Sequence, residues 1–346
     1  MARRAGLKDV AAEAGVSVTT VSLILNDHPL ARASEQTRQR VFDAAERLNY
    51  RPNRVARGLR AGTSEMIGLL TEEIAATPHA GRIILGAQEA ASRHNLTLAI
   101  INSPLQADAD ERRDDVRALM DRQVDGIIYA TVYHDVVSPP EEQRTVPSVL
   151  IGAVDRRGVL PAVIPDEPQG ARDAVSMLAE LGHRRIAFVD NAIDVPATRG
   201  RRAGYLEAMA AADLEVDPRL LAEGVGEARG GHAATLALLD AGGDPTAIFA
   251  YNDRMAMGIY RALYERGLRV PEDVSVVGFD DQDPIPESLF PPLTTVALPH
   301  YEMGAWAVDT LAAQMADGGK CEGPRPVVRL QCVIVRRESV APPSHA

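Results

Sequence analysis

The residues with the clearest chemical pattern are Val18, Thr19, Thr20, Ser22, Leu23 and Asn26, within the segment LKDVAAEAGVSVTTVSLILN at Leu7–Asn26. At about 100° per residue, Val18, Thr19, Ser22, Leu23 and Asn26 fall on one outward arc of a helix, while Val21 and Ile24 point the other way. Hydroxyl and amide groups can exchange hydrogen bonds with base edges, and threonine and leucine methyls can meet a thymine methyl. The pattern suits reading the major groove of DNA. Motifs for covalent chemistry are missing from the sequence: there is no HExxH, no P-loop and no GxSxG. The run Gly224-Val225-Gly226 … Gly230 places its last glycine one position late for a dinucleotide loop, and no strand clearly precedes it. Cys321 and Cys332 are the only cysteines, with no metal-ligand partners at suitable spacing. No catalytic residue, metal or cofactor is expected.

The elements that would position the reading residues are legible around them. Leu7–Ala14 and Val18–Leu25 read as two short helices, with Gly15 at a corner that needs positive φ. Val10, Ala14, Val16, Val21 and Ile24 would close a small core, and Ala11 is small enough for close helix approach. This is the layout of a helix-turn-helix with its second helix in the major groove; an αα-hairpin with no DNA role is the alternative. Ser34 reads as the N-cap of a third helix that runs to about Leu48, with Glu35 in its first turn. Val41, Ala44, Ala45 and Leu48 give that helix one buried stripe. Asn49-Tyr50-Arg51-Pro52 ends it, and Pro52 could open a further short helix over Asn53–Arg60. Two turns are marginal in water, and Gly58 costs a further ~1 kcal/mol relative to Ala. That segment is expected to fold only when something templates it, before a flexible exit at Gly62-Thr63-Ser64.

Charge supports the same division. The chain carries a net −11, which looks wrong for a DNA binder until it is split. Residues 1–62 hold 11 Lys+Arg against 6 Asp+Glu, a net of +5, and the remainder is at −16. A basic head on an acidic body is expected when only the head touches phosphate. Hydrophobic residues make up 46% of the chain and aromatics only 4%, so the cores should consist mostly of Ala, Leu, Val and Ile. No apolar run is long enough to span a membrane. MARRAGLKDV has no apolar stretch after its basic residues, which argues against a signal peptide. A reducing cytoplasm is the expected location.

From Met66 onward, short apolar runs alternate with amphipathic helices: MIGLL, LTLAII, GIIYA and SVLIG, then IAFVD, TAIFA and VSVVGF. This βαβ pattern, repeated after Pro165, predicts two Rossmann-like halves with parallel sheets. Ligands in such sheets bind beyond the carboxyl ends of the strands, here near Leu70–Thr71, Val189–Asp190, Ala250–Asp253 and Phe279–Asp281.

Taken together, LKDVAAEAGVSVTTVSLILN, RPNRVARGLR, IGLL, DRQVDGII, LGHRRIAFV, GRRAGY, TAIFAYNDRMAMG, RVPEDVSVVGFDD and PPLTTV resemble, in order and spacing, the LacI/GalR family of bacterial transcription regulators. The resemblance covers nearly the whole chain. It implies an all-α helix-turn-helix headpiece with a hinge helix, then an α/β core of two subdomains like the periplasmic sugar-binding proteins. On it, the headpiece is 1–50, the hinge and linker 51–64, and the core 65–340. The first subdomain would comprise about 65–164 and 299–323, and the second about 165–296 and 326–340. The three crossings would fall near Ile164–Pro165, Val296–Pro299 and Gly323–Pro326, all beside prolines.

The resemblance further implies a homodimer on a pseudo-palindromic operator of double-stranded DNA, controlled by a small-molecule effector. Asn53, Arg54, Ala56, Arg57 and Leu59 match the hinge that enters the minor groove, with Leu59 as the wedge between base pairs. Such a wedge costs a few kcal/mol of unstacking and permits further contacts. Arg201, Asn252, Asp253 and Asp280 match positions that hold small ligands. Arginine offers a planar fork of donors and aspartate accepts from paired hydroxyls, which suits polyols or acids. Asp253 could instead simply begin a helix. His79 and Ala80, and later Gly226, stand where relatives often carry aromatic residues that stack on sugars. This chain lacks those rings, so a sugar is only the default effector, with His79 a possible donor. An enzyme, or a ligand-binding protein without DNA, are the rival classes; the added headpiece argues against the second.

Overall fold

The computed structural model describes residues 5–25, 32–50, 63–72, 81–104, 107–318 and 327–344, with backbone alone at 132–135. Asn26, the hinge residues Asn53, Arg54, Ala56, Arg57 and Leu59, and His79 lie outside the described residues. The chain divides into two units, Met1–Ser64 and Glu65–Ala346.

In the first unit, α1 is Leu7–Ala14, α2 is Val18–Leu25 and α3 is Glu35–Arg47. Gly15 takes φ 67° and its N–H closes α1 on the Ala11 carbonyl. A residue with a Cβ would be strained in that left-handed corner. The Asp9 carboxylate reaches back to the Gly6 N–H at 2.7 Å, and Ser17 Oγ accepts from the Thr20 N–H at 3.0 Å, so both helix starts have some of their exposed donors satisfied. Ser34 does the same for α3 through the Thr37 N–H. Val10, Val21, Ile24, Val41 and Ala44 form the common core.

Among the described residues the second unit holds two six-stranded sheets. The strands are β1 (Met66–Glu72), β2 (Thr97–Ser103), β3 (Gly126–Val137), β4 (Ser148–Asp155), β5 (Ala162–Pro165), β6 (Ile186–Asn191), β7 (Leu221–Gly224), β8 (Ala247–Ala250), β9 (Ser275–Asp280), β10 (Thr294–Ala297), β11 (Val327–Leu330) and β12 (Val333–Val335). The helices are α4 (Gly81–Arg93), α5 (Ala109–Met120), α6 (Glu167–Glu180), α7 (Pro196–Ala211), α8 (Ala228–Asp240), α9 (Asp253–Glu265), α10 (Ile285–Ser288) and α11 (His300–Ala316). Spatial order is β11-β5-β4-β3-β1-β2 in the first sheet and β12-β10-β9-β8-β6-β7 in the second. Every pairing is parallel except that of β12 with β10. Central strands such as β6 and β8 are buried at every position, as a sheet with helices on both faces requires, whereas edge strand β7 alternates.

Two crossings between the halves follow β5 at Pro165 and β10 at Leu298–Pro299. The third differs from the Gly323–Pro326 expectation. Strand β11 still belongs to the first sheet, pairing Val327 with Ala162, and the chain crosses only at Gln331–Cys332 before β12. The Gln169 side chain holds that crossing, donating to the Cys332 carbonyl at 3.1 Å and accepting from its N–H at 2.9 Å.

The second core is built mostly of Ala, Val, Leu and Ile, as expected, around a small aromatic group. Three of the chain's five phenylalanines converge there: Phe188 stacks on Tyr205 at 5.2 Å and on Phe249 at 4.9 Å, and Phe249 meets Phe279 at 6.3 Å.

Candidate functional site

On the headpiece, α2 buries Val21 and Ile24 and turns Val18 and Thr19 outward, with Thr20, Ser22 and Leu23 half-buried. Val18 is 41% exposed despite being apolar, an arrangement that suits a surface awaiting a partner. Leu23 is less outward than the helical arc suggests, because it packs against the small headpiece core. A three-helix unit this short has few interior positions, so flanking leucines fold over it. The Thr20 hydroxyl lies 2.8 Å from that of Ser17, within the cap of α2.

In the core, Arg201 comes from the first turns of α7 and reaches the carboxyl end of β9. Its Nε donates to Glu167 Oε2 at 2.7 Å, and its Nη2 to Glu167 Oε1 at 3.3 Å and Asp280 Oδ1 at 2.8 Å. Nη1 donates to the Tyr251 carbonyl. The guanidinium carbon lies 3.8 Å from the centroid of the Phe279 ring and 4.6 Å from that of Tyr251. Arg201 is 3% exposed, so the expected open donor fork is closed by the protein's own groups. Burial opposes its charge, but the two carboxylates hold its pKa well above the ordinary arginine value. Burial also pushes the Glu167 carboxyl upward, partly countered by Arg201. Glu167 was not anticipated; it occupies the first turn of α6. The Asp-Glu-Pro triplet at 166–168, an N-cap followed by an acid and a proline, was the available signal.

Asp280 and Asp281 take φ 105° and 51°, a left-handed conformation in two successive non-glycine residues. Such strain persists where surrounding structure enforces it and clusters at binding sites. The Asp281 carboxylate accepts from Arg337 at 2.9 Å. Both aspartates line a cavity of about 900 Å³ between the halves, with Arg82, Leu85 and Leu330 contributed by the first. Asp280 reaches this cavity itself, and Arg201 touches it through Asp280.

Asp253 does not face the cleft as expected. It is fully buried, accepting from Thr295 Oγ1 at 2.5 Å and from the Gln282 N–H at 2.7 Å. Its carboxylate ties the start of α9 to β10 and to the loop after β9. Asn252 is the N-cap of α9: its side-chain oxygen accepts from the Met255 N–H, and its amide donates to the Gly226 carbonyl at 3.1 Å. Strand β7 leads into the Gly224-Val225-Gly226 run, contrary to the sequence reading. The glycines that follow serve packing: a Cβ on Gly231 would lie 2.2 Å from the Met255 carbonyl oxygen, so α8 and α9 cross in backbone contact.

The first half carries its own unanticipated cluster at the carboxyl end of β1. Glu72 accepts from Arg112 Nε at 2.8 Å and from the Tyr129 hydroxyl. Burial and the Glu72 charge push the Tyr129 hydroxyl far above its ordinary pKa, so it acts as a donor.

Comparison with known proteins agrees with both parts. Residues 6–53 match the bacterial regulatory proteins, lacI family, and residues 175–340 match the periplasmic binding protein-like domain. The HTH-type transcriptional regulator RegA of Clostridium saccharobutylicum is 34% identical over 96% of this chain and 98% of its own. The Lac repressor dimer bound to operator and the anti-inducer ONPF superposes with a TM-score of 0.81 at 29% identity, covering 98% of this chain and all of that one. A CelR–cellobiose complex superposes with a TM-score of 0.66 at 31% identity, over 97% of this chain and all of that one.

Proposed function

The chain belongs to the lacI family of bacterial regulatory proteins; it is a DNA-binding regulator of transcription, and we propose that it is a repressor whose hold on its operator is set by a small molecule in the cleft. The carrying observation is a headpiece that leaves Val18 and Thr19 uncovered, in one chain with a two-sheet core enclosing a cavity. The Lac repressor relative is a dimer on its operator, and this chain is read as a homodimer on a pseudo-palindromic site. Val18, Thr19, Thr20, Ser22, Leu23 and Asn26 read the major groove, and Asn53, Arg54, Ala56, Arg57 and Leu59 the minor groove. The headpiece is 1–50 and the hinge 51–64.

The effector sits where Asp280 lines the cavity, with Arg201 behind it, His79 from the first half, and Asn252 and Asp253 as the frame. The CelR relative is complexed with cellobiose, which supports a sugar as the first class to try. The named relatives are regulators, and no catalytic step is assigned to this chain. Among the described residues no helix is long and apolar enough to cross a membrane, and we place the protein in the cytoplasm.

The test is operator selection from random duplexes, followed by gel shifts of the selected site against a metabolite panel. A palindromic consensus, bound with an affinity that one metabolite changes, is the expected result. Failure to enrich any sequence would overturn the reading.

A further inference from the structure

Arg201 stands buried behind Asp280 at the cavity, and the protein's own carboxylates occupy it. Glu167 takes two of its donors, Asp280 one and the Tyr251 carbonyl another, out of the five N–H groups a guanidinium carries. The Phe279 ring lies against it. Both Glu167 oxygens accept from the fork, the arrangement of an ionised carboxylate. Two carboxylates around one guanidinium leave the cluster at −1. The three side chains are only 4, 5 and 8% exposed, so water screens that charge little. The cavity in front is acidic as well: Asp283, Glu287 and Glu302 line it with Asp281, against Arg82 and Arg337.

We propose that Glu167 is a specificity-determining residue: by locking Arg201, it makes the cleft accept an uncharged, hydroxyl-rich effector and reject phosphorylated or carboxylated ones. This rests on reading the cleft as the effector site. Only one N–H of Arg201 is left over, so an anion paired with it through two donors would have to displace Glu167, Asp280 or the Tyr251 carbonyl, and a displaced carboxylate would be left buried without its counter-charge. A hydroxyl needs no such exchange, because Asp280 lines the cavity and has a second oxygen that can accept.

Inorganic phosphate is the probe, since it carries the charge without having to fit an unknown pocket. Thermal unfolding of the full-length protein is followed with phosphate, against chloride at equal ionic strength. Wild type, Glu167→Gln, Asp280→Asn, the double variant, and the double variant with Arg201→Gln are compared. Their clusters carry −1, 0, 0, +1 and 0. Wild type should show no phosphate-specific rise in Tm. The double variant should gain a saturable rise, with phosphate bound roughly tenfold tighter or better than by wild type and lost again on Arg201→Gln, as expected for a charge-assisted site. The single variants, which keep one native partner for Arg201, should fall between and serve if the double variant does not fold. A saturable rise in wild type equal to that of the variants overturns the proposal, as do folded single variants that both ignore phosphate. Operator affinity is measured alongside. Variants that gain phosphate binding while operator affinity ignores it would leave the charge selection standing and remove the effector reading.

Discussion

Asp253, buried at the start of α9, has a displaced acid–base behaviour. Burial pushes its carboxyl up to about 8, the Asp280 charge adds to this, and hydrogen bonds from Thr295 and Gln282 oppose it. An unfolded aspartate titrates near ~3.9, so between roughly 4 and 8 the folded chain keeps a proton that the unfolded chain has lost. Stability from this group is full below about pH 4 and is lost as pH rises through 8. Asp253→Asn is uncharged at every pH. Its unfolding free energy relative to wild type should therefore climb from pH 5 to pH 8 and level off beyond, in urea titrations across that range. A flat difference would mean that Asp253 is ionised in the folded state. Leu23 makes the second residue-scale prediction. Its side chain rests partly on the headpiece core, so truncation to Ala should lower the headpiece melting temperature as well as weaken operator binding. Leu23→Arg should shift the selected half-site toward guanine at one position, by roughly 1–3 kcal/mol if a bidentate pair forms. An unchanged consensus would show that Leu23 does not face the bases.

Among the elements, the α8–α9 crossing carries the loop beneath which Asn252 caps α9. Its closeness depends on having no side chain at the contact: a Cβ on Gly258 would sit 1.9 Å from the Ala228 carbonyl oxygen and 2.4 Å from the His232 nitrogen. Both are backbone atoms and cannot rotate away. Gly258→Ala should force the helices apart and destabilise the core by about 1–3 kcal/mol or more, read as a lower thermal midpoint of the full chain. Wild-type stability would mean the helices separate freely. In the headpiece, Ser34 accepts from the Thr37 N–H at 3.2 Å. Ser34→Ala should cost about 0.5–2 kcal/mol of headpiece stability, and Ser34→Gly only a few tenths, measured by amide exchange within α3.

At the scale of the molecule, positive charge is segregated into residues 1–62 and negative charge into the rest. Operator affinity should fall linearly in log–log form with salt, by about 0.9 for each phosphate neutralised, while binding of an uncharged effector should barely change. Parallel titrations across roughly 50–200 mM salt check this; an effector affinity as salt-dependent as operator affinity would argue for an ionic effector. The two units also differ in how much of them the residue order foretells. Helices α1, α2 and α3, the Gly15 corner and the Ser34 cap depend on neighbours within four residues, and periodicity and cap chemistry state them locally. The alternating strands and helices of the core are readable for the same reason, and the charge division needs only counting. The Arg201 cluster is different. Its members lie 34 and 79 residues apart, and a sequence gives the face on which a side chain falls, not what stands across from it. The burial of Asp253, the contact of Glu167 with Arg201 and the pairing of β11 with the first sheet arise in the same way, from contacts between distant segments. Residue order determined that this chain has a DNA-reading head and a two-sheet core. Packing decided that Arg201 is already neutralised from within.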